Sequence, residues 1–310
     1  MTQIQVDVLL ATFNGEKFLS QLLTSIAEQK EVNINLIISD DGSSDGTIEI
    51  IRKFENRFSQ LRIIDGPRMG PAQNFFHLLT FSEERYVAFA DQDDIWQPNH
   101  LIDSINRIRV YDGEPAVTFC DSTEFEGNMC LIKDWPNFTI LPEESKFLFQ
   151  NFARGCTMVL NRQLAELILD GNSYQLAVMH DWWIILVGLL TGRVFYGQTS
   201  EIYYRVHEDN TVGIGRRSLF ASIKSLWTSG YSPLIQLIAL YEISQVHGKG
   251  KFSQEMRQVV ESFSQGFFQR FIKVWTFKQR FRSTLSDEIK LRLLLCLPRK
   301  VLIRNLKSQI

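Results

Sequence analysis

Three carboxylates stand within four positions at Asp91, Asp93 and Asp94, directly after the apolar run Tyr86-Val87-Ala88-Phe89. An ionised carboxylate loses several kcal/mol of hydration on burial. The group therefore belongs at the end of a strand rather than within it. In an extended chain Asp91 and Asp93 project to one side and Asp94 to the other. Two hard oxygen donors on one side suit Mg²⁺ or Mn²⁺, and such an ion suits a diphosphate. The same residues fit a helix start, with Asp94 as a cap and Pro98 at an early helical position. The two readings are compatible. Arg205 and His207 lie two positions apart after an apolar stretch and share one side if that strand persists. They offer a countercharge and a metal or phosphate ligand. Asp40, Asp41 and Asp45 sit in a Gly- and Ser-rich loop, where such residues also favour turns and caps.

Positioning these groups needs several strands that end on one edge. Short apolar runs at 6–11, 34–38, 61–64 and 86–90 lack polar alternation and read as buried strands. Between them, apolar residues recur at helical spacing. Phe18, Leu19, Leu22, Leu23 and Ile26 predict one helix, Ile48, Ile51, Phe54 and Phe58 a second, and Phe75, Phe76, Leu78 and Leu79 a third. Repeated strand–helix alternation predicts a parallel sheet covered on both faces. Polar loops after successive strands then collect on one edge, where an open α/β sheet binds its ligands. Beyond a helix over 99–110, further strands are expected at 116–120, 155–160, 194–196 and 202–206, a hairpin or loop insertion over 121–142, and helices at 162–169 and 182–190. Neither G-x-G-x-x-G nor G-x-x-x-x-G-K-[ST] occurs, so neither a dinucleotide fingerprint nor a P-loop is indicated.

The 310 residues carry a net charge of −2, unevenly spread. Residues 251–310 hold 13 Lys+Arg against 4 Asp+Glu, a balance of +9, which leaves 20 basic and 31 acidic residues, −11, before them. An acidic body with a basic tail implies that the tail meets something anionic. The four cysteines show no paired spacing and read as reduced thiols, as in a cytosolic protein. No signal-peptide pattern opens the chain, and no run reaches the ~18 apolar residues of a membrane-spanning helix. The expected location is cytoplasmic, or peripheral on the inner face of the cell membrane.

Taken in order, Val8-Leu9-Leu10-Ala11-Thr12-Phe13-Asn14-Gly15, Ser39-Asp40-Asp41-Gly42-Ser43-Ser44-Asp45, Asp91-Gln92-Asp93-Asp94 and His180-Asp181-Trp182-Trp183 closely resemble family 2 glycosyltransferases of the GT-A fold. The resemblance covers roughly residues 4–212. Within that family it is similar to bacterial rhamnosyltransferases of cell-surface polysaccharide synthesis, and Tyr204-Arg205-Val206-His207-Glu208-Asp209-Asn210-Thr211-Val212-Gly213 points the same way. It implies an α/β GT-A domain over 1–213, with a mostly parallel central sheet, and a basic helical extension over 214–310. It implies inverting transfer of a sugar, best rhamnose from dTDP-rhamnose, to a hydroxyl of a surface glycan or lipid-linked glycan. By the same resemblance Asp93 ligates Mn²⁺ or Mg²⁺, joined by His207, and Asp91 contacts ribose or metal. Asp41 holds base or ribose, with Thr12, Asn14 and Arg68 around the nucleotide. Asp181 is the general base, against the alternative of an N-cap for the helix that follows. His180, Trp182, Arg154 and Arg205 border the acceptor or the diphosphate. On a helix only one of Trp182 and Trp183 is expected to point fully inward, leaving the other for the acceptor cleft.

In the tail, Phe267, Phe268, Phe271, Ile272, Val274, Trp275 and Phe277 mix with Arg270, Lys273, Lys278, Arg280 and Arg282. Three uses fit that mixture: contact with an anionic membrane surface, packing on the catalytic domain, or pairing with a second copy in a homo-oligomer. No nucleic-acid recognition motif accompanies it. Two other functions fit the residues less well. A non-catalytic sugar-nucleotide or glycan-binding subunit would not need both Asp93 and Asp181. A nucleotidyltransferase would carry a basic Gly-rich loop after the first strand, where this chain offers only Gly15 and Lys17.

Overall fold

The computed structural model describes residues 3–127, 129–207, 232–262, 265–278 and 280–296. The strands are β1 Ile4–Thr12, β2 Val32–Asp40, β3 Gln60–Asp65, β4 Tyr86–Asp91, β5 Ile95–Trp96, β6 Ala116–Glu126, β7 Cys130–Trp135, β8 Val159–Asn161 and β9 Arg193–Arg205. Around them lie α1 Leu19–Ala27, α2 Thr47–Lys53, α3 Pro71–Leu79, α4 His100–Ile108, α5 Glu144–Phe147, α6 Arg162–Leu169 and α7 His180–Thr191. Four more helices follow: α8 Ser232–Val246, α9 Gly250–Ser262, α10 Phe267–Thr276 and α11 Leu285–Leu295.

The strands join one nine-stranded sheet in the order β3-β2-β1-β4-β8-β6-β9-β5, with β7 on β6. β3, β2, β1 and β4 run parallel, and so do β6 and β9. β8 joins the two parallel groups through short antiparallel ladders to β4 and β6. The parallel half is the expected one, and its side chains alternate between two cores. Val6, Val8 and Leu10 of β1 pack with Tyr86, Ala88 and Ala90 of β4 and with Leu19, Leu22 and Leu23 of α1. Leu9 and the alternate residues Val87 and Phe89 pack on the other face with α3, α6 and α7. Burying each such side chain favours the fold by roughly 1.5–3 kcal/mol, which excludes slippage by one residue.

Several details differ from the sequence reading. α2 ends at Lys53, and Phe58 lies in extended chain, so only Ile51 and Thr47 of that helix are buried. The strand expected at 155–160 is a 3₁₀ turn, Gly155–Thr157, followed by the three-residue β8. The two strands expected at 194–196 and 202–206 are one, β9, whose register against β6 shifts near Cys120–Ser122. Glu208–Gly213, and with it the expected boundary at 213–214, lies outside the described residues. Helices α8–α11 share the hydrophobic core on the α7 face, through Leu237, Leu240, Phe252, Met256 and Leu295. Among the described residues, no helix is long and apolar enough to cross a membrane.

Candidate active site

The C-terminal ends of β1, β2 and β4 carry the polar loops to one edge, as parallel strands must. Thr12 ends β1 and is buried, and its Oγ1 donates to Asp40 Oδ2 at 2.8 Å. Asp40 also accepts from the backbone N–H groups of Gly42 and Ser43, at 3.0 and 2.7 Å. It shapes the loop that presents Asp41. The Asp41 Oδ1 accepts the Arg68 N–H at 2.9 Å, and Arg68 adopts φ 57°. Its guanidinium lies over Gly42, where an added Cβ would sit 3.2 Å from the Arg68 Nε. Asn14, at φ 49°, accepts from Ser44 N–H at 2.9 Å through Oδ1 and ties the first loop to the second. Gln92 ties the first loop to the third by bonds of 2.9 and 3.1 Å with the Phe13 backbone. Thr12, Asn14, Asp41 and Arg68 thus meet in one place. Thr12 and Asn14 act there as struts, with Asp41 and Arg68 at the surface.

The acidic segment does not stay extended past Asp91. The chain turns, with Asp94 N–H near Asp91 O at 3.4 Å, and Asp94 swings into the interior. Asp94 is fully buried, and its Oδ1 accepts the Arg205 N–H at 3.0 Å. Burial, with Asp93 and Asp91 nearby, holds its carboxyl well above the usual carboxylate range. Asp94 neither projects from an extended strand opposite Asp91 and Asp93 nor caps a helix, the two expectations from sequence: α4 starts after Asn99. Asp91 stays at the strand end, its pKa pushed to about 7 by burial, then by Asp93 and Asp181.

Asp93 and His207 come together, with His207 Nε2 at 2.7 Å from Asp93 Oδ2. A half-buried carboxylate and an imidazole within one coordination radius of a shared point fit Mn²⁺ or Mg²⁺, imidazole favouring the former. Cys156 lies with Asp91 and Asp94, all donor atoms within 4.8 Å of one another. That group is buried, and its thiol is pushed well above its ordinary pKa by burial, which suits packing rather than ligation.

The Arg205 guanidinium is turned into the protein. It is buried, donates from Nε to the Asp93 carbonyl at 2.8 Å, and lies over the Phe18 and Phe125 rings at 4.3 and 4.5 Å. It is the strut behind the acidic turn. Phe18, expected inside α1, stands before it, its ring 5.2 Å from that of His207. Arg154 lies beside the carboxylates but is held by Ser122 Oγ at 2.7 Å and Glu124 Oε1 at 2.5 Å, between the rings of Trp135 and Tyr204.

Asp181 opens α7 and is 4% exposed. Burial raises its pKa to about 6, against hydrogen bonds from the Trp182 and Gly155 N–H groups and the Asn151 side chain. It accepts the Trp182 N–H at 2.6 Å, one residue on, and α7 carries no side-chain cap. His180 and Trp182 are not in the cleft. His180 is buried against the Phe75 and Phe89 rings at 4.1 and 5.6 Å, and burial lowers its pKa to about 3, so it is neutral. Trp182 is buried with its Nε1 donating to Phe147 O at 2.6 Å, and Trp183 is fully buried as well. The expectation that one tryptophan would face the acceptor fails because α7 is enclosed on all sides, by the sheet, α5 and the C-terminal helices. Asn151 belongs to the site without having been singled out, and Gln92 and Tyr204 stood in the motifs with no role of their own. Asn151 lies in an aperiodic stretch, where no spacing marks a side chain as facing inward.

With this geometry established, likeness to known proteins is informative. Residues 7–165, half of the chain, match the glycosyl transferase family 2 model. The chain is 28% identical over 221 residues to a dTDP-rhamnosyl transferase, RfbG, of Shigella flexneri, covering 66% of this chain and 73% of that one. The structure resembles S. aureus TarS 1–349 in complex with UDP-GlcNAc, with TM-score 0.55, 17% identity and 99% and 92% of the two chains covered. It also resembles the mannosyltransferase PcManGT of Pyrobaculum calidifontis in complex with GDP-Man and Mn²⁺, with TM-score 0.53, 14% identity and 100% and 89% covered. These likenesses establish the GT-A type of α/β fold. A glycosyltransferase of family 2 is therefore what this chain is.

Proposed function

We propose that the chain is an inverting, metal-dependent glycosyltransferase that moves rhamnose from dTDP-rhamnose to a hydroxyl of a bacterial surface polysaccharide or lipid-linked glycan. Its work is then at the cytoplasmic side, where nucleotide sugars are made. The 28% identity to the Shigella dTDP-rhamnosyl transferase supports rhamnose as the donor sugar. The observation that carries the mechanism is the carboxylate of Asp181, buried beside Asp91 yet outside the turn that holds Asp93 and His207.

The nucleotide lies along the edge formed by Asp41, Arg68 and Asp91, with Thr12 and Asn14 fixing the loops. Asp93 and His207 would hold the divalent ion. When bound, it offsets the charge of the departing diphosphate. Asp181 accepts the proton of the acceptor hydroxyl as that oxygen attacks the anomeric carbon. Its pKa of about 6 leaves it ionised yet basic near neutral pH. Retention through a covalent intermediate would need a further carboxylate on the opposite face of the sugar. Asp91, Asp93 and Asp94 are already engaged in the acidic turn, so direct attack and inversion result. A β-linked nucleotide rhamnose gives an α-rhamnoside. The deciding experiment supplies purified protein with Mn²⁺, an acceptor extract and a panel of nucleotide sugars. Release of dTDP from dTDP-rhamnose alone is expected, and release from another donor in its place would overturn the rhamnose assignment. Product NMR showing a retained anomeric configuration would overturn inversion.

A further inference from the structure

Helix α10, Phe267–Thr276, is built inside out. Its buried residues are Arg270 and Val274, while Phe267, Phe268, Phe271, Ile272 and Trp275 are exposed. At 100° per residue those five cover one continuous face of about 140°, and the rings of Phe267, Phe271 and Trp275 stack along it at 6.3 and 5.9 Å. Phe268 and Ile272, at 79% and 62% exposure, stand furthest out.

The inversion has a structural cause. Arg270 donates to the Cys296 carbonyl at 3.2 Å. From α11, Arg292 donates to the Val274 carbonyl at 2.7 Å and to Glu288 at 2.7 Å. Glu288 in turn accepts the Phe281 and Arg282 N–H groups. Buried arginines thus lock α10 onto α11 and turn the aromatic face outward. α11 does the same with Leu285, Ile289 and Leu293, all exposed at four-residue spacing. A soluble helix hides such a face, and a patch of this kind marks a contact.

We infer that this face of α10 and α11 rests on an anionic lipid bilayer, its aromatic residues at the headgroup level. Charge complementarity selects that occupant. Residues 251–310 carry 13 basic against 4 acidic residues; with Arg270, Arg292, Glu255 and Glu288 buried, the excess of basic residues remains. Lys278 and Arg280 are exposed in the same segment, and Lys290 pairs with Asp287 at 3.1 Å. Basic side chains flanking an apolar helical face bind anionic headgroups. A second copy would bring the same positive segments together across a twofold axis, which like charges oppose. The docked face is also tied to the catalytic cleft. The connection between α10 and α11 packs Phe281 on Phe149 at 5.4 Å and Ser283 on Gln150 at 3.2 Å, beside the Asn151 that holds Asp181. A bilayer contact there sets the base close to the surface where a lipid-linked acceptor resides. That last link rests on the proposed reaction; the contact itself does not.

The test sediments the full chain with vesicles of phosphatidylcholine alone and of phosphatidylcholine mixed with phosphatidylglycerol. Binding to the mixed vesicles only, weakening as salt rises, is expected. Phe268→Glu with Ile272→Glu should lower the partition more than roughly tenfold, while Lys278→Glu with Arg280→Glu should lower it less and remove much of the salt dependence. Donor consumption without vesicles should be unchanged in both, which shows them folded and separates this result from the transfer reaction. Wild-type protein that stays in the supernatant, or a Phe268→Glu/Ile272→Glu protein that binds as well, overturns the inference. So does a wild-type dimer that this variant converts to monomers without any vesicle binding, which gives the face to a second copy.

Discussion

Asp181 carries the sharpest consequences at the scale of single residues. Asp181→Asn keeps the shape and loses the proton acceptor. Turnover at saturating donor should fall roughly 10²–10⁴-fold with donor affinity largely retained. Near-normal turnover would remove Asp181 as base. Wild-type turnover should rise as pH passes through about 6, because the carboxyl keeps its proton below that value. The same shift acts on stability. A buried carboxyl with raised pKa holds a proton that the unfolded chain has released, so its contribution to stability is fully present below roughly pH 4. It falls as pH rises towards about 6. Denaturant titrations across that window should show a shallower fall in Asp181→Asn. Asp93→Ala and removal of divalent ions by a chelator should each abolish transfer while the protein stays folded, since Asp93 lies on a turn outside the hydrophobic core. Full activity in excess chelator would refute the metal role. Asp91→Ala should chiefly weaken donor binding in calorimetry.

At the scale of elements, the 3₁₀ turn before β8 and the start of α7 are fitted to each other. A Cβ at Gly155 would lie 2.3 Å from His180 Nε2, whose ring is wedged between Phe75 and Phe89. Gly155 also donates its N–H to Asp181. Gly155→Ala should therefore cost about 1–3 kcal/mol by overpacking, read in denaturant unfolding, and reduce turnover more than donor binding. A variant with wild-type stability and turnover would show that the turn yields. The β9 end works similarly on the acidic turn. Arg205 holds the Asp93 carbonyl through its guanidinium and Asp94 through its N–H. Arg205→Met should weaken Mn²⁺ binding by loosening the acidic turn, and unchanged Mn²⁺ affinity in calorimetry would exclude that strut role.

For the molecule as a whole, the basic extension is part of the core rather than an appendage. Leu237, Leu240 and Ile243 of α8 and Met256 of α9 are buried in the cluster that includes Trp183 and Leu186 of α7. Leu240→Ala should cost about 2–5 kcal/mol. Tryptophan fluorescence and far-ultraviolet circular dichroism should report one coincident transition, in the variant as in the wild type. Two separated transitions would mean that the extension unfolds by itself.

What the sequence determined follows from local rules. Apolar runs without alternation demand burial on both faces, so the parallel β1–β4 half and its edge of polar loops were legible. Motif order pointed to Asp41, Asp91, Asp93 and Asp181 through the resemblance to family 2 glycosyltransferases. Tertiary structure decided the rest, through contacts between residues far apart in the chain. Asp94 turns inward because Arg205, 111 positions later, supplies an N–H for it. Arg205 became a strut and Trp182 a core residue because Phe18, Phe125 and the enclosing helices fill the space around them. Asn151 reached Asp181 from an aperiodic stretch. The outward aromatic face of α10 arose because Arg270 and Arg292 found backbone carbonyls to bind inside. Composition cannot show which side of a helix is satisfied, since burial of a charge depends on partners that only the folded chain brings within reach.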